Sequence, residues 1–195
     1  MKNELIGASR GFGLILVGAL ALSSLARAVE PTAFDLVKEG NRHVGEEAKD
    51  RVVKIVSEKS VASLTPTMWS VYYADRAAGD TSTEVRFAGG KMVVVKHHTG
   101  FLGISSKPKE LPKEKLKVDS DRALQIAQSE PVLKNLKLTA SRLILEPWEE
   151  QPVWKVRLWA AKLSKPEEMT EIGDLYINPD DGKVVRNNLK IQRVD

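Results

Sequence analysis

The sequence contains no cysteine among its 195 residues. This excludes a fold stabilised by disulfides, and it also excludes a bacterial lipoprotein, whose anchor requires a cysteine after an apolar leader. The chain also has no Asn-x-Ser/Thr sequon. Both absences favour a bacterial envelope protein over a eukaryotic secreted one.

Only one long apolar run occurs, at the N-terminus. Lys2 and Arg10 precede it, residues 11–26 carry no charge, and Ala26-Arg27-Ala28 forms an A-x-A cleavage pattern. The uncharged run has 16 residues, fewer than the ~20 that usually span a bilayer. We therefore predict a cleaved signal peptide over 1–28, a periplasmic or secreted location, and no stable membrane anchor after cleavage.

Neither sign of charge is in large excess. The whole chain has a formal net charge of +4. The leader contributes +2 of this, because Lys2, Arg10 and Arg27 face only Glu4, so the mature chain keeps +2. Such a balanced charge argues against nucleic acid or an anionic membrane as the partner.

Residues 29–98 have the pattern of one helix followed by strands. Thr32 and Asp35 form a capping box for a helix that begins near Ala33, and Gly40-Asn41 ends it. Short segments rich in β-branched and aromatic residues follow, bounded by turn residues. The predicted strands are 52–56, 68–74, 83–87 and 92–95.

Residues 99–118 differ in composition. Pro108 and Pro112 lie among five lysines, and the segment carries a net charge of +3. Proline favours an extended chain, and the charge favours solvation over a place in the core. We predict an interdomain linker here.

Residues 119–195 repeat the succession. Asp119 or Ser120 can cap a helix that ends by Pro131, and 138–145 predicts a strand. A β-hairpin follows over 152–160 and 173–186, with the turn residues Asn178 to Gly182 before its last strand. In the first of these strands, period-2 alternation places four apolar residues on one face (Trp154, Val156, Leu158 and Ala160) and Lys155 and Arg157 on the other.

The two segments align with each other, mostly at an offset of 90 residues. Apolar positions coincide at Ala33/Ala123, Phe34/Leu124, Leu36/Ile126, Val53/Leu143, Ile55/Leu145, Val85/Leu175 and Phe87/Ile177. At an offset of 85, Trp69 aligns with Trp154, and at 92 Gly90 aligns with Gly182. We infer an internal duplication. The predicted fold class is α+β, with two small repeats, each a helix packed on a three- to four-stranded antiparallel sheet that buries Trp69 or Trp154.

The second repeat resembles the PepSY domain. The resemblance lies in Ala123-Leu124-Gln125-Ile126-Ala127, in Pro152-Val153-Trp154-Lys155-Val156, and in the turn from Asn178 to Val185. The first repeat is similar only in its helix, Trp69-Ser70-Val71 and Gly90-Lys91. Membership would imply an exported, noncatalytic module, of a kind found in propeptides of secreted metallopeptidases and proposed to inhibit or chaperone peptidases.

No residue pattern predicts catalysis, a cofactor or a metal. His97-His98 is the only histidine cluster, and adjacent side chains of an extended chain point to opposite faces. Gly7-x-Ser9-x-Gly11 lies in the leader, and Ser106-x-x-Lys109 lies in the linker, where nothing would orient the lysine. We interpret both motifs as chance matches and expect no enzyme activity.

Trp159 is out of phase with the inward face that Trp154 defines. Beside Lys155 and Arg157 it would anchor a partner protein; equally, it would pack against the other repeat or the linker. The first function predicted is therefore a protein-binding or peptidase-regulating module of the envelope, with Lys155, Arg157 and Trp159 as partner-binding residues. The alternative is a small-ligand or metal carrier, or an enzyme, that uses the cleft between the repeats.

Overall fold

The structure is a computed structural model that describes residues 30–75, 81–98 and 109–194. The predicted signal peptide, 1–28, lies outside these ranges, as do residues 99–108 of the predicted linker and Ser106 with them. In the described ranges no helix is both long enough and apolar enough to cross a membrane.

In the ranges that the structure describes, the fold contains two short helices and eight strands. The first half contains α1 (Ala33–Gly40), β1 (Val52–Ser57), β2 (Met68–Asp75), β3 (Thr81–Ala88) and β4 (Lys91–His98). The second half contains α2 (Ser120–Gln128), β5 (Leu138–Trp148), β6 (Gln151–Ala161), β7 (Met169–Ile177) and β8 (Val184–Leu189). Short 3-10 turns lie at Glu46–Ala48, Lys113–Lys115, Pro131–Leu133 and Ile191–Val194.

All eight strands belong to one antiparallel sheet, in the order β4-β3-β2-β1-β5-β6-β7-β8. The two halves meet at its centre, where β1 pairs with β5 through Ile55–Leu145 and Val56–Ile144. The predicted fold of two separate repeats, each with its own small sheet, is therefore wrong. Each half alone would expose the edge of its first strand, and pairing β1 with β5 satisfies both edges.

The helices also join the halves. α1 has eight residues and α2 nine, so each is only about 12 to 14 Å long and covers a small part of the sheet. Phe34 of α1 packs on Trp154 of the second half, with ring centroids 6.2 Å apart. Ser120 at the start of α2 accepts a hydrogen bond from the Ala33 N–H at 2.9 Å. One hydrophobic core therefore contains buried residues from both halves.

Both predicted core tryptophans are buried beneath the helices. Trp69 is 4% exposed and donates its indole N–H to Pro66 O at 3.1 Å. Trp154 has no exposed surface and donates to Val118 O at 2.8 Å. The alternation predicted around Trp154 is confirmed, because Val156, Leu158 and Ala160 share its full burial.

The described part of the predicted linker, 109–118, packs along the core. Leu111 is 4% exposed, and its N–H donates to Val52 O at 2.7 Å. The Lys117 and Val118 amides both donate to Pro179 O. Lysines occupy the solvent side of this segment while its leucines face inward, an arrangement that net charge alone did not predict.

The two halves have the same order of elements, one helix followed by a four-stranded meander. Ile55 and Leu145, which the alignment makes equivalent, pair with each other at the centre of the sheet. That the halves arose by duplication remains a prediction.

Candidate functional site

The two faces of the sheet have different surroundings. Both helices lie on the face of Trp69 and Trp154, since Phe34 contacts Trp154 and Leu124 belongs to the same core. The opposite face, called here the outer face, is covered by no helix of the described chain. One row of paired residues crosses it through all eight strands: Val94, Arg86, Ser70, Val56, Ile144, Lys155, Tyr176 and Arg186.

Lys155, Arg157 and Trp159, the predicted partner-binding residues, all lie on this outer face. They alternate along β6 with the buried Val156 and Leu158. Lys155 and Trp159 are four positions apart along the strand, a distance of about 13 Å. The structure thus places the three side chains in one line down the face.

Asp174 of β7 joins the two cations. Its carboxylate accepts hydrogen bonds from Arg157 Nε at 2.7 Å and Nη2 at 3.1 Å, and lies 3.5 Å from Lys155 Nζ. The hydrogen bonds to Asp174 raise the pKa of Arg157. Because the pairing is bidentate, the guanidinium is held in a fixed orientation on the open face.

Trp159 is partly exposed and lies beneath a lysine from the first half. Lys59 Nζ is 4.5 Å from the centroid of the indole ring, and it also contacts Met169 Sδ at 3.0 Å. A cation over an indole contributes about 0.5 to 1 kcal/mol at an exposed site. Trp159 thus contacts the other half through Lys59, in line with the second reading, and the residue stays partly exposed.

At the other end of the line, Tyr176 and Trp148 form an aromatic pair with centroids 5.4 Å apart. Lys155 Nζ lies 5.7 Å and the Arg186 guanidinium 5.8 Å from the Tyr176 ring. The aromatic patch is defined as Trp148, Lys155, Arg157, Trp159 and Tyr176. It has aromatic rings at both ends and two cations between them.

Cations around the aromatic patch exceed carboxylates. Lys155 and Arg157 share Asp174, and Arg157 also lies 3.5 Å from Glu171. Lys59, Arg142 and Arg186 form no ion pair with any carboxylate of the described chain. The patch therefore favours a partner surface that carries negative charge.

The outer face of the first half is closed by its own hydrogen bonds. Glu84 is 2% exposed, and it accepts from Ser70 Oγ at 2.7 Å and from Arg86 at 2.9 Å. His98 Nε2 lies 3.0 Å from its second oxygen. Burial by itself would raise the pKa of Glu84, but the bonds from Ser70, His98 and Arg86 outweigh it and lower that pKa.

The hydrogen bonds of this network converge on the carboxylate of Glu84. Ser70 and Arg86 donate to one of its oxygens, and His98 bonds the other. Glu84 lies between serine and histidine, so it satisfies both and leaves neither free. The network therefore stabilises the sheet.

The two adjacent histidines point to opposite faces, as predicted. His97 Nδ1 lies 2.9 Å from Thr83 Oγ1, on the helix side of the sheet, while His98 bonds Glu84 on the outer face. Within 30–75, 81–98 and 109–194, no three His, Asp or Glu side chains lie close enough together to hold a metal ion.

Several residues of the candidate site were missed by the sequence analysis. The outward orientation of Tyr176 could have been predicted from the sequence, because Leu175 and Ile177 on either side of it face inward. The positions of Lys59 and Arg142 near the site could not have been predicted. Lys59 contacts Trp159 across 100 residues of sequence, and only the β1–β5 pairing brings them together.

Compared with models of known protein families, with curated proteins and with solved structures, the chain gives no significant match. Membership of the PepSY family therefore remains a prediction from the residues quoted above.

Proposed function

We propose that this protein is an exported, noncatalytic binding module whose outer sheet face docks onto another protein of the bacterial envelope. The observation that supports the proposal is the aromatic patch on a face that no helix of the described chain covers. Tryptophan, tyrosine and arginine are the residues that most often dominate protein interfaces.

The partner is expected to present an acidic surface. Lys59, Arg142 and Arg186 surround the patch without carboxylate partners in the described chain. Near the centre of the face, Val56 and Ile144 form a partly exposed apolar pair. An apolar centre bordered by cations is complementary to apolar side chains flanked by aspartate or glutamate.

Site-specific photocrosslinking in the exporting cell tests this proposal. A photoreactive residue replaces Arg186, which is exposed on the outer face, or Gln125, which is exposed on α2 on the other side. We expect one envelope protein to crosslink at position 186 and not at 125. Equal crosslinking at both positions, or none at 186, contradicts the proposal.

The crosslinked protein must then bind when purified. Trp159→Ala is expected to weaken binding about tenfold or more, because a tryptophan in an interface often contributes a large share of the binding energy. Arg186→Glu is the companion variant: its side chain is exposed, so it should fold normally and still weaken binding at low salt. If neither variant changes the affinity, the aromatic patch is not the docking surface.

Regulation of a peptidase is the specific form of this proposal that the PepSY resemblance suggests. If the partner is a peptidase, its rate of peptide cleavage should change on adding the purified protein and should not change with Arg186→Glu at the same concentration. A partner without peptidase activity would leave the docking proposal standing and would contradict this specific form.

A further inference from the structure

A polar cleft lies on the outer face at the edge of the sheet, between β7, β8 and the last 3-10 turn. It has a volume of about 470 Å³. None of the five residues of the aromatic patch is part of its lining. Five charged side chains do belong to the lining: Arg186, Lys190, Arg193, Glu171 and Asp174.

The walls of the cleft are fixed by backbone contacts. The Lys190 N–H donates to a carbonyl of β7 at 2.6 Å, so pairing with β7 continues past the end of β8. A Cβ on Gly173 would lie 2.3 Å from Asn188 O, which shows how closely the two strands approach each other here. On the third side, Val194 is buried, and its carbonyl accepts from the Leu163 N–H at 2.8 Å. The backbone of the cleft is therefore part of the folded sheet and its last turn.

The three cations of the lining form no ion pair with a carboxylate of residues 30–75, 81–98 or 109–194. Arg186 Nε donates to Asn188 Oδ1 at 3.2 Å, and Arg193 Nη1 donates to the backbone carbonyl of Glu171 at 3.5 Å. The Lys190 ammonium has no hydrogen bond within the described chain. Each cation therefore keeps N–H donors and a full positive charge for an anionic ligand.

The two carboxylates of the lining are already paired with cations of β6. Asp174 accepts from Arg157 Nε at 2.7 Å and lies 3.5 Å from Lys155 Nζ, and Glu171 Oε2 lies 3.5 Å from Arg157 Nη1. With these two partners added to the three cations of the lining, the cluster has five cations against two carboxylates. The excess of three positive charges attracts a ligand with more than one negative charge.

The equivalent carboxylate of the first half is closed off by a histidine. Glu84 aligns with Asp174 by the offset of 90, and His98 aligns with Lys190 by the offset of 92. His98 Nε2 lies 3.0 Å from Glu84, whereas Lys190 forms no ion pair with Asp174. The open cluster of cations thus depends on the side chains of the second half and not on the order of strands that both halves share.

We infer that this cleft binds a small molecule that carries two or three carboxylates. Arginine pairs with carboxylates through two parallel hydrogen bonds, and Arg186 and Arg193 supply two guanidinium groups. Arg186 and Lys190 are four positions apart along an extended chain, about 13 Å, so separate carboxylates span the cleft better than one compact phosphate. The cleft volume lies within the range of about 300 to 1,000 Å³ that is usual for ligand pockets. The inference does not rest on the docking proposal, and its failure would leave that proposal unaffected.

The test uses citrate, phosphate and acetate as probes, with binding to the purified protein measured by calorimetry at neutral pH and one fixed ionic strength. We expect one equivalent of citrate to bind, about tenfold or more tightly than either phosphate or acetate. No saturable binding of citrate at millimolar concentration overturns the site. An affinity for phosphate equal to that for citrate overturns the assignment of several carboxylates.

Matched substitutions locate the citrate. Lys190→Gln and Arg193→Gln each remove one unpaired charge from an exposed side chain, so both variants should fold normally. Each should weaken citrate binding about threefold or more, and the double variant about tenfold or more. Lys38→Gln makes the same change of charge on α1, on the other side of the sheet, and should leave the affinity unchanged. Binding that neither cleft variant weakens, or that Lys38→Gln weakens equally, overturns the inference.

Discussion

The two halves of the sheet share the same order of elements, but the side chains on their outer faces differ in burial and in hydrogen bonding. In the first half, Glu84 collects hydrogen bonds from Ser70, Arg86 and His98 and is almost fully buried. In the second half, Tyr176 and Trp159 remain partly exposed among cations. A repeated backbone pattern thus supports a closed polar network on one side and an open aromatic patch on the other.

This difference shows where function and stability can be separated. Polar groups of the first half are satisfied within the chain, so changing them costs stability. Cations of the second half exceed their carboxylate partners, so changing those cations should affect binding more than folding. The predictions that follow test how independent the halves are, from the largest expected effect to the smallest.

The core tryptophans test whether the halves fold as one unit. Trp154→Ala is expected to lower the free energy of unfolding by about 3 to 5 kcal/mol, the range for a tryptophan removed from a core. Trp154 also supports Phe34 of the other half, so circular dichroism and the fluorescence of the remaining tryptophans should lose signal in one shared urea transition.

Trp69→Ala is the matched variant. We expect a smaller loss, because Trp69 is 4% exposed, whereas Trp154 is fully buried and its ring packs on Phe34 of the other half. Two separate transitions in either variant, with one half still folded, would contradict the single shared core.

Glu84 tests the closed network of the first half. Glu84→Gln removes a buried charge that three side chains stabilise, and we expect a loss of about 1 to 3 kcal/mol at pH 7. The folded pKa of Glu84 lies below its ordinary value of 4.5. Its contribution to stability is therefore present above that pH and is lost as the pH falls below it.

Urea unfolding of both proteins from neutral pH down to about pH 3 measures this effect. The difference in stability between wild type and Glu84→Gln should shrink as the pH falls below 4.5. A difference that stays constant with pH would mean that the Glu84 charge does not stabilise the fold.

Gly40 and Tyr73 test how α1 is attached. A Cβ on Gly40 would lie 2.2 Å from the Tyr73 hydroxyl oxygen, so Gly40→Ala should destabilise the protein by about 1 to 3 kcal/mol. Tyr73→Phe removes that oxygen and the hydrogen bond to Val37 O, at a cost of about 1 kcal/mol.

The double variant should lose less than the sum of the two single losses, because the clash and the hydroxyl disappear together. Strict additivity would contradict the packing described here. In the second half, the residue aligned with Tyr73 is the apolar Leu158, which has no hydroxyl to form the equivalent hydrogen bond.

The smallest effects are expected at the helix caps. Asp119 accepts from the Ser120 N–H at 2.6 Å in α2 and from the Phe34 N–H at 3.1 Å in α1, so one carboxylate serves both helices. Burial nevertheless raises the pKa of Asp119, against the hydrogen bonds from Thr32, Ser120 and Phe34.

We expect Asp119→Ala to cost about 1 to 2 kcal/mol and Thr32→Ala about 0.5 to 1 kcal/mol. Asp119 accepts backbone N–H groups of both helices, whereas the Thr32 hydroxyl accepts only the Asp35 N–H of α1. Thermal unfolding of the two variants shows which substitution lowers the stability more. A larger loss for Thr32→Ala would contradict the shared cap.

Most local features could be predicted from the sequence because they depend on nearby residues. The helix start at Thr32, the strand around Trp154 and the turn at Asn178 follow from capping, alternation and turn residues. Sequence reasoning also placed Lys155 and Arg157 on the face opposite Trp154, since side-chain alternation in a strand is local.

What the sequence could not show was how the halves combine. The pairing of β1 with β5 depends on strand edges that are open in each half, and edge pairing leaves no periodic signal in the sequence. The burial of Leu111 could not be predicted either, because it lies in a segment rich in lysine and proline and its contacts in the core come from distant residues.

The sequence by itself determined the elements of this protein and the alternation that puts Lys155 and Trp159 on the outer side of their strand. Only the tertiary structure decided that there is one sheet, that Lys59 of the first half lies over Trp159, and that a polar cleft opens between β7 and β8. The reason is physical: local patterns set backbone conformation, whereas contacts between distant segments depend on which edges and faces remain to be covered.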